Sequence, residues 1–514
     1  MIGAGRLGYL LDTVLGRVTM YRLVTLSLGT IALLAFILSL TGTLAYTPLA
    51  LLASLAVILL VGYGSNRLFG LLFRVRPHSE SAVITSLLLF FIFFPTSDPY
   101  ALLWLGIASI VAQASKYLIA VRGRHIVNPA VAAAVVMGLV GGSGVTGPSA
   151  SAWWVANPYL LPAVVVLAFL VLYRTRKLTM ALLFIVVAWV LVTVRLLMSA
   201  QTVDAALATP VISYPIVFLA AFMLSEPLTL PPRRWQQLVE AVVVAVVFSV
   251  PYSFGPVFSS PELALLVGNL FAFAVAARSG IRLRLERTTK LTPTSVEYTF
   301  SATRPVAFRA GQYLELTVPH RRADVRGTRR AFSIVSPPED GTTLRVAMRV
   351  PERASSFKRA LATLPVGGTI SATGVWGDFT LPRDAARPLL LIAAGIGVTP
   401  FASQLSQLHL RGEQRDVVVV YVVSDPAELA YAAELEAWGV RVFVGAAEAP
   451  AHLPVGWTYL GPGRIDHDRL LAAVPDLTSR EVLISGPPSM VDGLRPALRG
   501  VGVTRVRSDV FSGY

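Results

Sequence analysis

The chain has 514 residues, of which 54% are hydrophobic, and its mean hydropathy of +0.66 makes it too long for one domain and too apolar to live wholly in water. A net charge of +15 comes with no aromatic-studded basic domain and no zinc spacing, so basic loops beside a membrane explain it better than nucleic acid does. The complete absence of cysteine excludes disulfides, thiolate-held iron–sulfur clusters, Cys-type zinc sites and covalent c-type haem.

In chain order, residues 1–22 read as a cytosolic lead-in without a secretory signal. Apolar segments follow at 24–43, 47–65, 81–95, 100–120, 128–142, 158–173, 178–198, 211–224, 236–251 and 262–277, which predicts ten spans, several of them short and bounded by Pro or Gly. Loops carrying Arg67, Arg74, Arg76, Lys116, Arg122, Arg124, Arg174, Arg176, Lys177, Arg233, Arg234 and Arg278 alternate with loops lacking Lys or Arg. Basic loops are cytosolic, so the C-terminal half returns to the cytosol. Trp153 and Trp154 read as interfacial anchors in an outside loop. Among carboxylates only Glu240 lies clearly within a span, with Glu226 and Asp98 at edges, which gives an ion pathway little to work with. Paired haems need facing His ligands, and this half has only His78 and His125, both at cytosolic edges.

Four cytosolic-edge stretches carry a resemblance: SAVITSLLL from Ser81, GRHIVNPA from Gly123, FMLSEP from Phe222 and GNLFAF from Gly268. Over most of residues 60–278 the chain resembles the family of the D-type membrane component of Rnf complexes and the B-type component of the sodium-pumping NADH:quinone reductase, whose ten-helix members carry flavins. The resemblance implies a second flavin, FMN or riboflavin, near the helix-breaking polar pairs Asn128-Pro129 and Glu226-Pro227; ordinary helix capping is the alternative reading. It also implies FMN attached to the Thr of an outside S-G-A-T stretch. Here Ser143-Gly144-Val145-Thr146 has Val for Ala, and Val140 stands where Asp is expected, departures that argue against a covalent bond at Thr146.

Beyond residue 282 strands replace helices. TPTSVEYTFSATRP and FRAGQYLELTVP alternate apolar and polar residues, predicting a small antiparallel barrel that contains Gln312 and Tyr313. In Arg330-Ala331-Phe332-Ser333 a flavin cradle would find a guanidinium for its pyrophosphate, a ring for the isoalloxazine and a hydroxyl near N5; a basic strand with a buried Phe is the alternative. Ser355 and Ser356 open a predicted helix whose amides could receive the pyrophosphate, and Gly377-Asp378-Phe379 make a turn for the adenine end. From Leu389 an apolar strand runs into GIGVTP, where Gly395 and Gly397 admit a pyrophosphate and Thr399-Pro400 start a helix. Strands and helices then alternate through VVVVYVVS, the predicted helix AELAYAAELEAWG, VRVFVG and EVLISGPPSM.

FxAGQY, RxFS, GIGVTP and GPPxM stand in the order of the ferredoxin-NADP reductase superfamily, which the whole of 284–514 resembles. The resemblance implies that Arg330 and Ser333 bind FAD, that Thr399 faces the nicotinamide, and that Gly486, Pro487 and Pro488 shape its pocket, with Ser485 where the family commonly has Cys. Asp425 would repel a 2'-phosphate, favouring NADH over NADPH, and Phe511 or Tyr514 could cover the flavin. Ser333, Thr399, Ser485 and Tyr514 are the expected catalytic positions.

The expected architecture is an α-helical polytopic membrane domain of two related halves (23–280) fused to a ferredoxin-NADP reductase-like module, an FAD-binding β-barrel (284–385) plus an NAD(P)H-binding α/β domain (386–514). The expected protein is an integral membrane flavoprotein of the cytoplasmic membrane, reductase side cytosolic, with no metal, haem or iron–sulfur cluster. NAD(P)H reduces FAD, and electrons pass through the membrane-domain flavin to an extracytosolic acceptor; the alternatives are NADH:quinone reduction without transmembrane transfer, and redox-driven ion transport.

Overall fold

The computed structural model describes residue 18 and residues 20–511 except 74–76, 78, 122–123, 145–150, 232, 256, 276–279, 321–327, 353 and 464. The chain divides into two compact units that part between residues 276 and 277.

The first unit is helical: α1 (Met20–Leu40), α2 (Pro48–Leu72), α3 (Ser79–Ile92), α4 (Pro99–Leu118), α5 (Pro129–Gly142), α6 (Leu161–Thr175), α7 (Leu178–Met198), α8 (Val203–Ile212), the short α9 (Ile216–Leu219), α10 (Arg234–Ser249) and α11 (Pro261–Val275). Three starts share one device. Thr47, Asp98 and Asn128 each accept a backbone N–H of the first turn, and each is followed by Pro, which needs no N–H partner there. Helix α9 runs into a π-turn, Ala220–Leu224, that ends two residues before Glu226. Helices meet over small residues: a side chain at Gly62 would strike Ser86 of α3, and one at Gly268 would strike Val244 of α10.

All ten apolar segments are helical over most of their length, but among the described residues five helices, Met20–Leu40, Pro48–Leu72, Pro99–Leu118, Leu178–Met198 and Val203–Leu224, are long and apolar enough to cross a membrane. Four shorter ones have 14 or 15 residues and span roughly 21–23 Å against a hydrocarbon layer of about 30 Å. Trp153 and Trp154 depart from the expected interfacial role. Both are buried, Trp153 donating to Glu262 (2.9 Å) and Trp154 to the carbonyl of Phe90 (2.6 Å), because an indole N–H with an internal acceptor can be taken out of water.

The second unit begins with an antiparallel sheet of β1 (Gly280–Lys290), β2 (Ser295–Ala302), β3 (Tyr313–Thr317), β4 (Arg329–Ser333), β5 (Thr343–Arg349) and β6 (Thr369–Trp376), in the order β4-β3-β6-β1-β2-β5. Val335 N–H donates to the carbonyl of Arg345 and closes the edges. Alternate residues such as Leu314, Leu316, Ile370 and Ala372 point inward around Phe300 and Phe357, the period-2 pattern of the sequence. Helix α12 (Ser356–Ala362) lies between β5 and β6.

A six-stranded parallel sheet follows: β7 (Leu389–Ala394), β8 (Val417–Val422), β9 (Arg441–Gly445), β10 (Trp457–Gly461), β11 (Glu481–Gly486) and β12 (Val506–Val510), in the order β10-β9-β8-β7-β11-β12. Its helices are α13 (Thr399–Arg411), α14 (Ala432–Ala437), α15 (His467–Ala473) and α16 (Pro488–Gly500). Strand β7 is buried at every position but its last and reads as a continuous apolar run, as a strand covered on both faces must. The helix expected across AELAYAAELEAWG shrinks to α14, preceded by the turn Pro426–Glu428 and by Tyr431 at φ 61. Side-chain bonds to the barrel from Glu428 and Tyr431 override the local helix propensity.

Gly311 (φ +90) sits where an added Cβ would lie 2.1 Å from the carbonyl oxygen of Phe379. Gly311→Ala should therefore lower the melting temperature of the full chain in detergent markedly, since positive-φ strain of about 1–3 kcal/mol adds to a backbone clash. Gly412→Ala, at φ +61 in open space, should carry only the positive-φ strain, with no clash added, and so lower the melting temperature less by the same measurement.

Candidate functional site

Because β7 pairs with β8 on one side and with β11 on the other, the strand order reverses beside β7. In an open parallel sheet the crevice outside the carboxyl ends at such a reversal is where ligands bind. Two Gly turns meet there. Gly395 (φ +51) has nothing within 4 Å of where its Cβ would be, leaving bare backbone for a ligand to approach, whereas a Cβ on Gly397 would lie 2.5 Å from the Ser485 carbonyl. Thr399 opens α13 with its hydroxyl donating to Ile396 (3.0 Å), and Pro400 takes the first-turn position. Across from them Ser485 is wholly buried, and its hydroxyl has no hydrogen-bond partner among the described residues. Gly486 leads through Pro487 into α16 at Pro488, and its carbonyl accepts the N–H of half-buried Phe511 (2.8 Å). Tyr514 lies outside the described residues.

On the barrel side Tyr313 and Ser333 are direct cross-strand partners. Gln312 Nε2 donates to the carbonyl of Gly377 (2.8 Å), which brings the turn of Gly377, exposed Asp378 and buried Phe379 against the same strand. Gly377, at φ +102, keeps the Tyr313 ring close: a Cβ there would lie 3.0 Å from it. Helix α13 bonds both barrel segments, Ser403 Oγ donating to the carbonyl of Ser336 (2.8 Å) and Gln404 Nε2 to that of Phe379 (2.7 Å). Arg330 places its guanidinium over the Phe357 ring at 5.4 Å, and Ala331 is exposed.

Several expectations change here. Phe332 pairs with inward-facing Leu314 and stacks on Phe357 in the barrel core, 5.8 Å between centroids, so its ring is not offered to an isoalloxazine; half-buried Tyr313 is the aromatic beside Ser333. Ser355 caps α12 by accepting Lys358 N–H (3.3 Å), while Ser356 bonds His320 Nε2 (3.0 Å). Asp425 is exposed, and its carboxylate accepts the N–H of Ala427 (2.8 Å). His320, Ser403 and Gln404 escaped the sequence reading. Gln404, a wholly buried amide on an apolar helix face, was the one visible signal.

In the helical unit Asn128 and Glu226, 98 residues apart, meet: Asn128 Nδ2 donates to Glu226 Oε2 (2.8 Å). His125 Nε2 pairs with Glu226 Oε1 (2.9 Å), and Asn269 Oδ1 accepts the N–H of Asn128 (2.8 Å). Asn128 also caps α5 ahead of Pro129, as the capping reading has it. The amide nitrogen of Asn269 is buried without a partner among the described residues. Glu240 is wholly buried on α10. Thr146 lies outside the described residues.

Residues 391–495 match the family model of the oxidoreductase NAD-binding domain. The parallel sheet is thus similar to the NAD-binding domains of oxidoreductases. The chain is 30% identical over 204 residues to NADH oxidoreductase HCR of Escherichia coli (strain K12), covering 40% of this chain and 59% of that protein. It is 28% identical over 237 residues to the toluate 1,2-dioxygenase electron transfer component of Pseudomonas putida, covering 44% and 64%. The chain thus spans about three fifths of the length of these curated relatives. Among solved structures, the Amycolatopsis cytochrome P450 reductase GcoB aligns with TM-score 0.40 and 23% identity over 46% of this chain and 71% of that one. Phthalate dioxygenase reductase, described as a modular structure for electron transfer from pyridine nucleotides to [2Fe-2S], aligns with TM-score 0.36 and 21% identity over 45% and 68%. The resemblance of the helical unit to the Rnf-type membrane family finds no support in these matches.

The expected cofactor set is corrected accordingly. The relatives are named electron transfer, reductase and ferredoxin reductase components of oxygenase systems, which points to a partner ferredoxin or oxygenase as the next carrier and not to a second flavin. FAD and NAD(P)H stand for the reductase unit; the FMN or riboflavin expected in the helical unit is withdrawn. With no cysteine in this chain, a thiolate-held cluster would have to belong to another protein.

Ser485→Ala should leave the melting temperature of the full chain unchanged or raise it, because it removes a buried hydroxyl whose lack of a partner costs about 1–3 kcal/mol. A drop in melting temperature would show that the hydroxyl is bonded after all.

Proposed function

We propose that the chain is a membrane-bound NAD(P)H-dependent flavin oxidoreductase, NADH preferred, that delivers electrons to a quinone-type acceptor in the bilayer. The observation that carries the reductase half is the meeting of the Gly395 and Gly486 turns at the reversal of an NAD-binding sheet, hydrogen-bonded through α13 to the barrel. The barrel offers the donors FAD needs: Arg330 for the pyrophosphate, Ser333 and Tyr313 beside the ring, and the Gly377–Phe379 turn towards the adenine. FAD held by these residues would supply hydride acceptance from the nicotinamide and onward transfer of the electrons. Thr399 and the orphan hydroxyl of Ser485 line the nicotinamide side, and exposed Asp425 favours a ribose hydroxyl over a phosphate.

Five apolar helices in the same chain support a place in the cytoplasmic membrane, with the ten-segment count and the basic loops supporting ten crossings and a cytosolic reductase. Reaching an extracytosolic acceptor would require a further carrier across about 30 Å of hydrocarbon, which the corrected cofactor set lacks. A lipid-soluble quinone removes that step. His125, Glu226 and Asn269 would serve it, the amide donating to a carbonyl oxygen and the His–Glu pair relaying from water the two protons that a quinone takes up with two electrons. The names of the relatives favour a second reading, in which a partner oxygenase or ferredoxin component accepts the electrons.

In liposomes, wild-type protein should oxidise NADH with a short-chain quinone. Glu226→Gln should slow that reaction by about 10- to 100-fold while NADH:ferricyanide activity stays level. Equal loss with both acceptors would count against a quinone site, and wild type active with reduced-ferredoxin formation alone would favour the second reading.

A further inference from the structure

The loop after β8 is fastened from behind. At its tip Ser424 and Asp425 are exposed, with Asp425 capping the turn Pro426–Glu428. Glu428 Oε2 reaches into the barrel, accepting from Thr292 Oγ1 (2.8 Å) and Thr294 Oγ1 (2.7 Å) in the turn between β1 and β2. Three residues on, the Tyr431 hydroxyl donates to Glu297 Oε2 (2.8 Å) of β2, and Arg345 of β5 pairs with the same carboxylate oxygen at 3.6 Å. Tyr431 and Glu297 are each only 4% exposed. Burial, and then the charge of Glu297, hold the Tyr431 hydroxyl well above its ordinary range, so it remains a donor.

A buried carboxylate held by one hydroxyl and one guanidinium is costly to assemble and costlier to disrupt, and a surface loop has no need of it for its own fold. What it achieves is position. The Asp425 tip is fixed to the barrel, and α13, at the other end of the nucleotide path, is fixed to the same barrel through Ser403 and Gln404. A dinucleotide lying between them would meet two points already held at a set separation, with little ordering left to do on binding.

We infer that Tyr431, Glu297 and Glu428 are positioning residues for the ribose end of the nicotinamide nucleotide, so that the flavin-side barrel sets the NADH preference together with the loop. This rests on the reading of the β8 loop as the ribose side. The test uses full-length protein in detergent. Equilibrium binding and steady-state oxidation are measured with NADH and NADPH for wild type, Asp425→Arg, Tyr431→Phe and Glu428→Ala; the last leaves no charge buried should Tyr431→Phe fold poorly. Tyr431→Phe and Glu428→Ala are each expected to raise Kd and KM for NADH about five- to tenfold, with kcat within about twofold and the NADH-over-NADPH preference reduced in proportion. Unchanged Kd and preference in both variants, with or without a lower melting temperature, would make the contact merely structural and overturn the inference. If Asp425→Arg itself leaves the preference unmoved, the reading of the loop fails instead; a shift there with none in the other two condemns the inference alone.

Discussion

Two hydrogen bonds from one helix hold the reductase unit in register. Ser403 and Gln404, both wholly buried on α13, bind the carbonyls of Ser336 and Phe379, which belong to the two barrel segments carrying the flavin-type motifs. An apolar contact would let barrel and sheet slide; a buried amide left without its carbonyl would forfeit the desolvation cost of both groups, so the bond fixes a geometry. Gly311 lets the strand approach Gln404 closely. Since the Gly395 turn leads straight into α13, side chains in the first two turns of that helix tie the nucleotide side to the flavin side.

The helical unit solves a different problem. Its buried polar groups must find one another because the apolar helix faces around them cannot satisfy them. Asn128 does so twice, capping α5 with its oxygen while its amide binds Glu226 beyond the π-turn. Glu262 likewise gathers Ser151 (2.5 Å) and Trp153. Both are places where an apolar segment is interrupted by Pro or by irregular backbone, and both join segments about a hundred residues apart.

What the sequence made legible is whatever repeats locally. The alternation in TPTSVEYTF gave β2, and the apolar run before GIGVTP gave β7 and then α13. Pairings across long separations left no such trace. Tyr431 and Glu297, 134 residues apart, look on paper like a helical aromatic and an exposed strand acid, and their bond is why the expected helix shortened to six residues. Phe332 shows the converse: a flavin cradle is expected there, yet it is the alternative, a basic strand with a buried Phe, that the structure has, because strand alternation and not flavin chemistry decides which way the ring points. Helix length was similarly hidden, since hydropathy marks apolar stretches without saying where Pro and Gly stop them.

The neighbours of β7 also set a timetable for synthesis. One side of the strand is covered by β8 soon after it leaves the ribosome, but its partner on the other side, β11, begins at Glu481 opposite Leu389, about ninety residues later. At 5–20 residues per second that is a wait of roughly 5–20 s during which an entirely apolar strand presents an open row of amides and carbonyls. Translation speed over residues 395–480 therefore bears on yield as much as any contact in the finished molecule.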